Sequence, residues 1–155
     1  DMNTIARCNA LIDDALAKGA RLLTGGKAND THMSPTLLDG VTREMRLWRE
    51  ESFGPVKAII RVHSEEEALA VANDSEYGLS AAVYSRDSAR AWNVAQRLHN
   101  GICHINGPTV HDEAQMPFGG CKASGYGRFG GRAGIAAFTE LRWITIQTQP
   151  RELPF

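Results

Sequence analysis

The sequence has little of what many specialised functions require. Its formal net charge is −1 over 155 residues, so it carries no basic field for nucleic acid or an anionic membrane. No apolar run is long enough for a bilayer-spanning helix. Asp1 to Thr4 have neither a basic region nor an apolar core, so no signal peptide is expected. Position 1 is not Met, as in a fragment or a processed chain. The cysteines are three, Cys8, Cys103 and Cys121, an odd count with no CxxC pair. That argues against a disulfide framework and for reduced thiols in a cytoplasmic setting. There is no GxGxxG after a strand, no GxxxxGK[ST] and no GxSxG, so the phosphate loops and the serine nucleophile elbow find no support. His99, His104 and His111, taken with Cys103 or Asp112, match no zinc spacing, and no metal site is expected. Internal repeats and low-complexity linkers are also missing.

What is present is an ordinary globular composition, 43% hydrophobic and 23% charged, enough for a core. A helical stripe over residues 4–18 uses Ile5, Leu11, Ile12, Ala15 and Leu16, with Gly19 as its stop. Arg21-Leu22-Leu23-Thr24 reads as a short strand ended by Gly25-Gly26. Pro35 makes any strand over residues 33–38 irregular or peripheral. Residues 56–62 form a strand. Ser64 with Glu67 is a capping box that opens a helix to about Asn73. Residues 79–84 form a second strand, residues 87 or 88 to 99 a helix, and residues 101–106 a third strand. These last two strands lack a polar face, which suits a sheet covered on both sides. The strand–helix alternation from Val56 to Asn106 predicts parallel pairing in an α/β fold. Seven of the 15 glycines fall between Gly119 and Gly134, where a shaped loop and a short helix are expected. Residues 143–149 are β-branched and aromatic, predicting a terminal strand stopped by Pro150. Such a strand leaves a sheet edge open to a second chain, or pairs within its own.

Three side chains stand out. Glu51 precedes the rigid turn Phe53-Gly54-Pro55 that feeds a strand, and a carboxylate there can accept hydrogen bonds from both vicinal hydroxyls of a ribose. A solvated surface carboxylate is the plain alternative. Phe53 offers a flat apolar face to a nicotinamide ring, with core packing as its alternative. Phe118, between Pro117 and Gly119, either lines a substrate pocket or plugs the loop. His111-Asp112-Glu113 lead into this loop and are candidates for a pocket entrance. The glycines here serve tight turns rather than a phosphate cradle. Cys121 beside Lys122 has a route to a lowered pKa but no base. Cys8 and Cys103 read as small buried hydrophobes.

The stretch Glu50-Glu51-Ser52-Phe53-Gly54-Pro55-Val56 resembles a segment of the aldehyde dehydrogenase superfamily. A second run, Met116-Pro117-Phe118-Gly119-Gly120-Cys121-Lys122-Ala123-Ser124-Gly125-Tyr126-Gly127-Arg128, agrees with it. So do Leu11 to Ala15, Gly25-Gly26, Tyr77-Gly78-Leu79-Ser80, Gly101 with Asn106, and Phe138-Thr139-Glu140 with Trp143 and Gln147. Residues 105–116 most resemble bacterial dehydrogenases of aromatic aldehydes, of the salicylaldehyde and vanillin kinds. The resemblance covers nearly the whole chain and corresponds to the C-terminal third of the family.

It implies a three-layer catalytic-domain portion over residues 1–140 and an oligomerisation strand and tail over residues 141–155. It further implies oxidation of an aldehyde, expected to be aromatic, by thiolate attack, hydride transfer to NAD or NADP, and hydrolysis by water that a glutamate activates. Glu51 and Phe53 then contact the cofactor, and Phe118 walls the substrate pocket. The nucleophilic Cys, the Glu base and the nucleotide-binding domain are expected upstream, so no catalytic residue is assigned within the chain, and alone it is expected to be inactive. A homo-oligomer through the last strand follows. Two other readings stay open: a non-catalytic α/β assembly module, and a thiol enzyme using Cys121.

Overall fold

The opening apolar stripe folds as helix α1 (Met2–Ala17) in the computed structural model, which describes residues 1–152. The Asp1 carboxylate caps it by accepting the Thr4 N–H at 2.9 Å. Its buried face is Ile5, Cys8, Leu11, Ile12 and Ala15. Gly19, at φ +97°, provides the left-handed turn that ends it. The chain divides into two units, one of residues 1–76 with 96–98, the other of residues 77–95 and the described residues from 99 onward.

In the first unit, β1 (Arg21–Thr24) runs antiparallel to β2 (Thr36–Asp39), and β2 runs parallel to β3 (Val56–Ile59). The central strand is therefore β2, which corrects the expected edge or irregular strand. Pro35 lies one residue before β2, so its missing N–H falls outside the ladder. The irregularity sits instead in β1, where the register shifts between Leu22 and Thr24. Leu11, Ile12, Leu38 and Val56 are fully buried where α1 covers this sheet. Side chains of this kind contribute about 1.5–3 kcal/mol each on burial. The Asp39 carboxylate, on β2, accepts from Arg21 at 3.0 Å and from Arg61 at 2.8 and 2.9 Å. Helix α2 (Glu65–Asn73) is capped by Ser64, whose Oγ accepts the Glu67 N–H, while Glu67 accepts from the His63 N–H.

In the second unit, β4 (Tyr77–Gly78) leads to β5 (Ser80–Val83), which pairs in parallel with β6 (Ile102–Ile105). Helix α3 (Ser88–Ala95) packs on both β5 and β6. The fold is α/β as expected, and its parallel pairs, β2–β3 and β5–β6, lie in separate sheets. Residues of β5 and β6 are half-buried. The glycine-rich segment forms β7 (Cys121–Lys122), antiparallel to β4, and then α4 (Gly131–Ala137). Residues 143–149, expected as a strand, form none in the single chain, because β-prone residues need a ladder partner to become a strand. Residues 153–155 of the expected tail lie outside the described residues.

Candidate functional site

The turn between Trp48 and β3 is built to leave two side chains free. Glu50 is engaged with Arg46 through both carboxylate oxygens, at 2.7 and 2.8 Å, and this guanidinium holds its carboxyl below the usual range. Glu51 is exposed and has no hydrogen bond or ion pair to a described residue. Ser52 is buried, and its hydroxyl lies 3.0 Å from the Gly54 carbonyl oxygen and 3.1 Å from that of Val56. Those bonds close the turn on the start of β3. Pro55 continues the tie, since its carbonyl accepts the Thr36 N–H at 2.7 Å.

Phe53 is 72% exposed at φ +44°. Core packing, its plain alternative, is thereby overturned. A bulky residue in the left-handed region that also displays its ring to water is costly, and such strain persists only where the surroundings over-determine it. Here α1 supplies that restraint. Arg7 Nε donates to the Ser52 carbonyl at 3.0 Å, and the Cys8 thiol donates to the same oxygen at 3.5 Å. The Arg7 guanidinium lies 5.4 Å from the centre of the Phe53 ring. Neither Arg7 nor this role of Cys8 is visible in the sequence, because the contacts span 45 and 44 residues. Chemically, the turn offers an unengaged carboxylate and an open aromatic face two positions apart.

Phe118 belongs to the second unit. Its backbone exchanges hydrogen bonds with Phe129, at 2.8 and 2.7 Å, which fixes the loop. Phe118 is half-buried and lines a cavity of about 410 Å³. Residues 101–104, 111–113 and 116–118 form its walls, so His111-Asp112-Glu113 share it with Phe118. Met116, Pro117 and Phe118 give it an apolar side. His111 Nε2 lies 3.3 Å from Glu113, and its ring meets that of His104 edge-on, 5.6 Å between centres.

None of the three cysteines is bridged. Cys8 is fully buried. Burial pushes the Cys103 thiol up, away from thiolate. Cys121 donates to the Gly78 and His99 carbonyls at 3.4 and 3.3 Å, with no base among those partners. Among the described residues, no group of three or more His, Cys, Asp or Glu side chains is placed to hold a metal ion.

Comparison with known proteins gives a consistent result. The model of the Aldehyde dehydrogenase family matches residues 1–144. A vanillin dehydrogenase of Pseudomonas fluorescens is 62% identical over 154 residues, covering 99% of this chain and 32% of the relative. A solved salicylaldehyde dehydrogenase of Pseudomonas putida G7, complexed with salicylaldehyde, superposes with a TM-score of 0.90 at 49% identity, covering 99% of this chain and 32% of that one. An aldehyde dehydrogenase of Mycobacterium tuberculosis, complexed with NAD+, does so with a TM-score of 0.82 at 35% identity, covering 90% and 30%. The chain thus spans about a third of the length of the curated relatives it matches.

Proposed function

The chain belongs to the aldehyde dehydrogenase family, and from that premise we propose that it forms part of an NAD(P)-dependent enzyme oxidising an aromatic aldehyde to its carboxylate. The observation that carries this reading is the turn at Glu51 and Phe53, which holds an unengaged carboxylate beside an exposed ring. Glu51 accepts hydrogen bonds from the two hydroxyls of a nicotinamide ribose, and Phe53 presents its ring to the nicotinamide. A bound dinucleotide supplies the hydride acceptor. Phe118, with Met116 and Pro117, gives the aldehyde's ring an apolar wall.

Residues 1–140 act as the catalytic-domain part, and residues 141–155 as the segment that joins a second copy. Exposed Leu141, Trp143, Ile144 and Ile146 favour that assembly role. The three free thiols fit a cytoplasmic setting. By itself the chain does not complete the chemistry in this reading, because Cys8 is fully buried, burial pushes the Cys103 thiol up, and the Cys121 thiol is bonded to backbone carbonyls rather than to a base.

Isotope-labelled chain titrated with NAD+ and NADP+ tests the cofactor assignment. Chemical-shift changes centred on residues 51–53 are expected, and changes confined elsewhere would overturn it. In a parallel assay with benzaldehyde and NAD+, the chain is expected to make no NADH. Robust turnover would overturn the claim of inactivity.

A further inference from the structure

We propose that Arg7 is a positioning residue that holds the Phe53 ring ready for the nicotinamide; this rests on the reading of Phe53 as the cofactor's platform. An exposed aromatic side chain is normally free to exchange rotamers, so an open ring is a poor platform unless something orders it. Two features of Arg7 supply order at once. Its Nε–H bonds the Ser52 carbonyl at 3.0 Å, in the peptide group joining Ser52 to Phe53. Its guanidinium lies 5.4 Å from the ring centroid, within range of a cation–π contact. The first contact fixes the backbone in its left-handed conformation, φ +44°, and the second biases the side chain. Cys8 supports the backbone half of the clamp through the same carbonyl, and the buried Ser52 hydroxyl supports it from the β3 side. Only a guanidinium combines a fixed N–H donor with a flat cation that lies against a ring. Lysine keeps the charge and loses the fork. Most of the Phe53 ring remains open, so holding it in place does not block it.

The test uses the full 155-residue chain, labelled at phenylalanine and arginine, as wild type, Arg7→Ala, Arg7→Gln and Arg7→Lys. Three quantities are read: the Phe53 side-chain couplings without ligand, the dissociation constant for NAD+, and the unfolding midpoint. In the wild type we expect one Phe53 rotamer and a nuclear Overhauser contact between Arg7 and the ring. In Arg7→Ala and Arg7→Gln the couplings average and NAD+ binds about five- to tenfold more weakly. Arg7→Lys recovers part of both. Arg7→Gln keeps side-chain length, so it carries the test if Arg7→Ala fails to fold.

A purely structural role would lower the unfolding midpoint while leaving the affinity of the folded chain intact, which overturns the proposal. Weaker affinity with unchanged couplings means Arg7 touches the cofactor itself, and also overturns it. If the wild-type ring is ordered but Phe53 and Glu51 do not respond to NAD+, the underlying cofactor reading fails, and the proposal fails with it. That outcome is told apart by the intact Arg7 contact.

Discussion

Glu50 and Glu51 are neighbours with opposite commitments. Glu50 is held by Arg46 in an exposed pair, the kind that salt screens and that adds little to stability. Glu51 has no partner among the described residues, so its hydrogen-bonding capacity is open to a ligand. Glu51→Gln is expected to weaken NAD+ binding about tenfold or more, the usual loss for a charge-assisted hydrogen bond. Glu50→Gln should leave the NAD+ dissociation constant within about twofold, since its loss falls on Arg46. The reverse order of effects would reassign the carboxylate. Asp39 makes a different point at the same scale. Arg61, then Arg21, lower its pKa from 3.8 to about 2, against the opposing effect of burial. A carboxylate with a folded pKa below its unfolded one stabilises the fold above the unfolded value, and that contribution fades as pH falls toward the folded one. Stability should therefore drop between about pH 4 and pH 2. Urea unfolding should show a shallower acid limb for Asp39→Asn over that window, together with lower stability at pH 7.

At the scale of elements, α1 and the turn before β3 act as one device. A Cβ added to Gly54 would sit 2.5 Å from the Cys8 sulfur, so this glycine is needed for space. Gly54→Ala is expected to cost about 1–3 kcal/mol through overpacking. In a Cys8→Ala background more than half of that cost should vanish, because the obstructing sulfur is gone. Thermal melts of the four proteins in the cycle give the coupling directly, and additive losses would refute the contact.

This pairing also shows what the sequence could and could not say. The helix stripe, the Gly19 stop, the Ser64 cap and the parallel β5–β6 pair are legible because each rests on local pattern, whereas the strand from Val56 pairs with β2 in another sheet and not with β5. Pro35 does not restrict β2, since it lies one residue before the strand's first ladder position. Helix α3 stops at Ala95 rather than near His99. Just beyond it, Arg97 pairs with Glu66 and its carbonyl accepts from Asn73 at 2.9 Å, so distant partners override helical periodicity. The site divides the same way. Glu51, Phe53 and Phe118 stand in recognisable motifs, whereas Arg7 is an unremarkable helix residue until folding brings it to Ser52.

For the whole molecule the open question is what meets residues 141–152, where no strand or helix forms in the single chain. Leu141, Trp143, Ile144 and Ile146 are all exposed, with Trp143 at 90%. Monomeric proteins seldom leave such a run in water, and unpaired backbone in a β-prone segment adds donors and acceptors that a neighbouring strand would satisfy. Strand addition by a second copy, the assembly proposed above, would answer both needs at once, and such pairing would turn a segment without a ladder into a strand. Light scattering should therefore find the 155-residue chain associated, with a mass that rises with concentration, and the chain ended at Glu140 monomeric. Glu51 and Phe53 lie in the first unit and the removed segment in the second, so the NAD+ response at residues 51–53 should survive the truncation. Association that survives loss of residues 141–155 would place the contact on another surface. A full chain that stays monomeric at high concentration would refute strand addition. Association lost on truncation without any NAD+ response in either form would favour an assembly module over an enzyme part, because pairing would then be the function that remains.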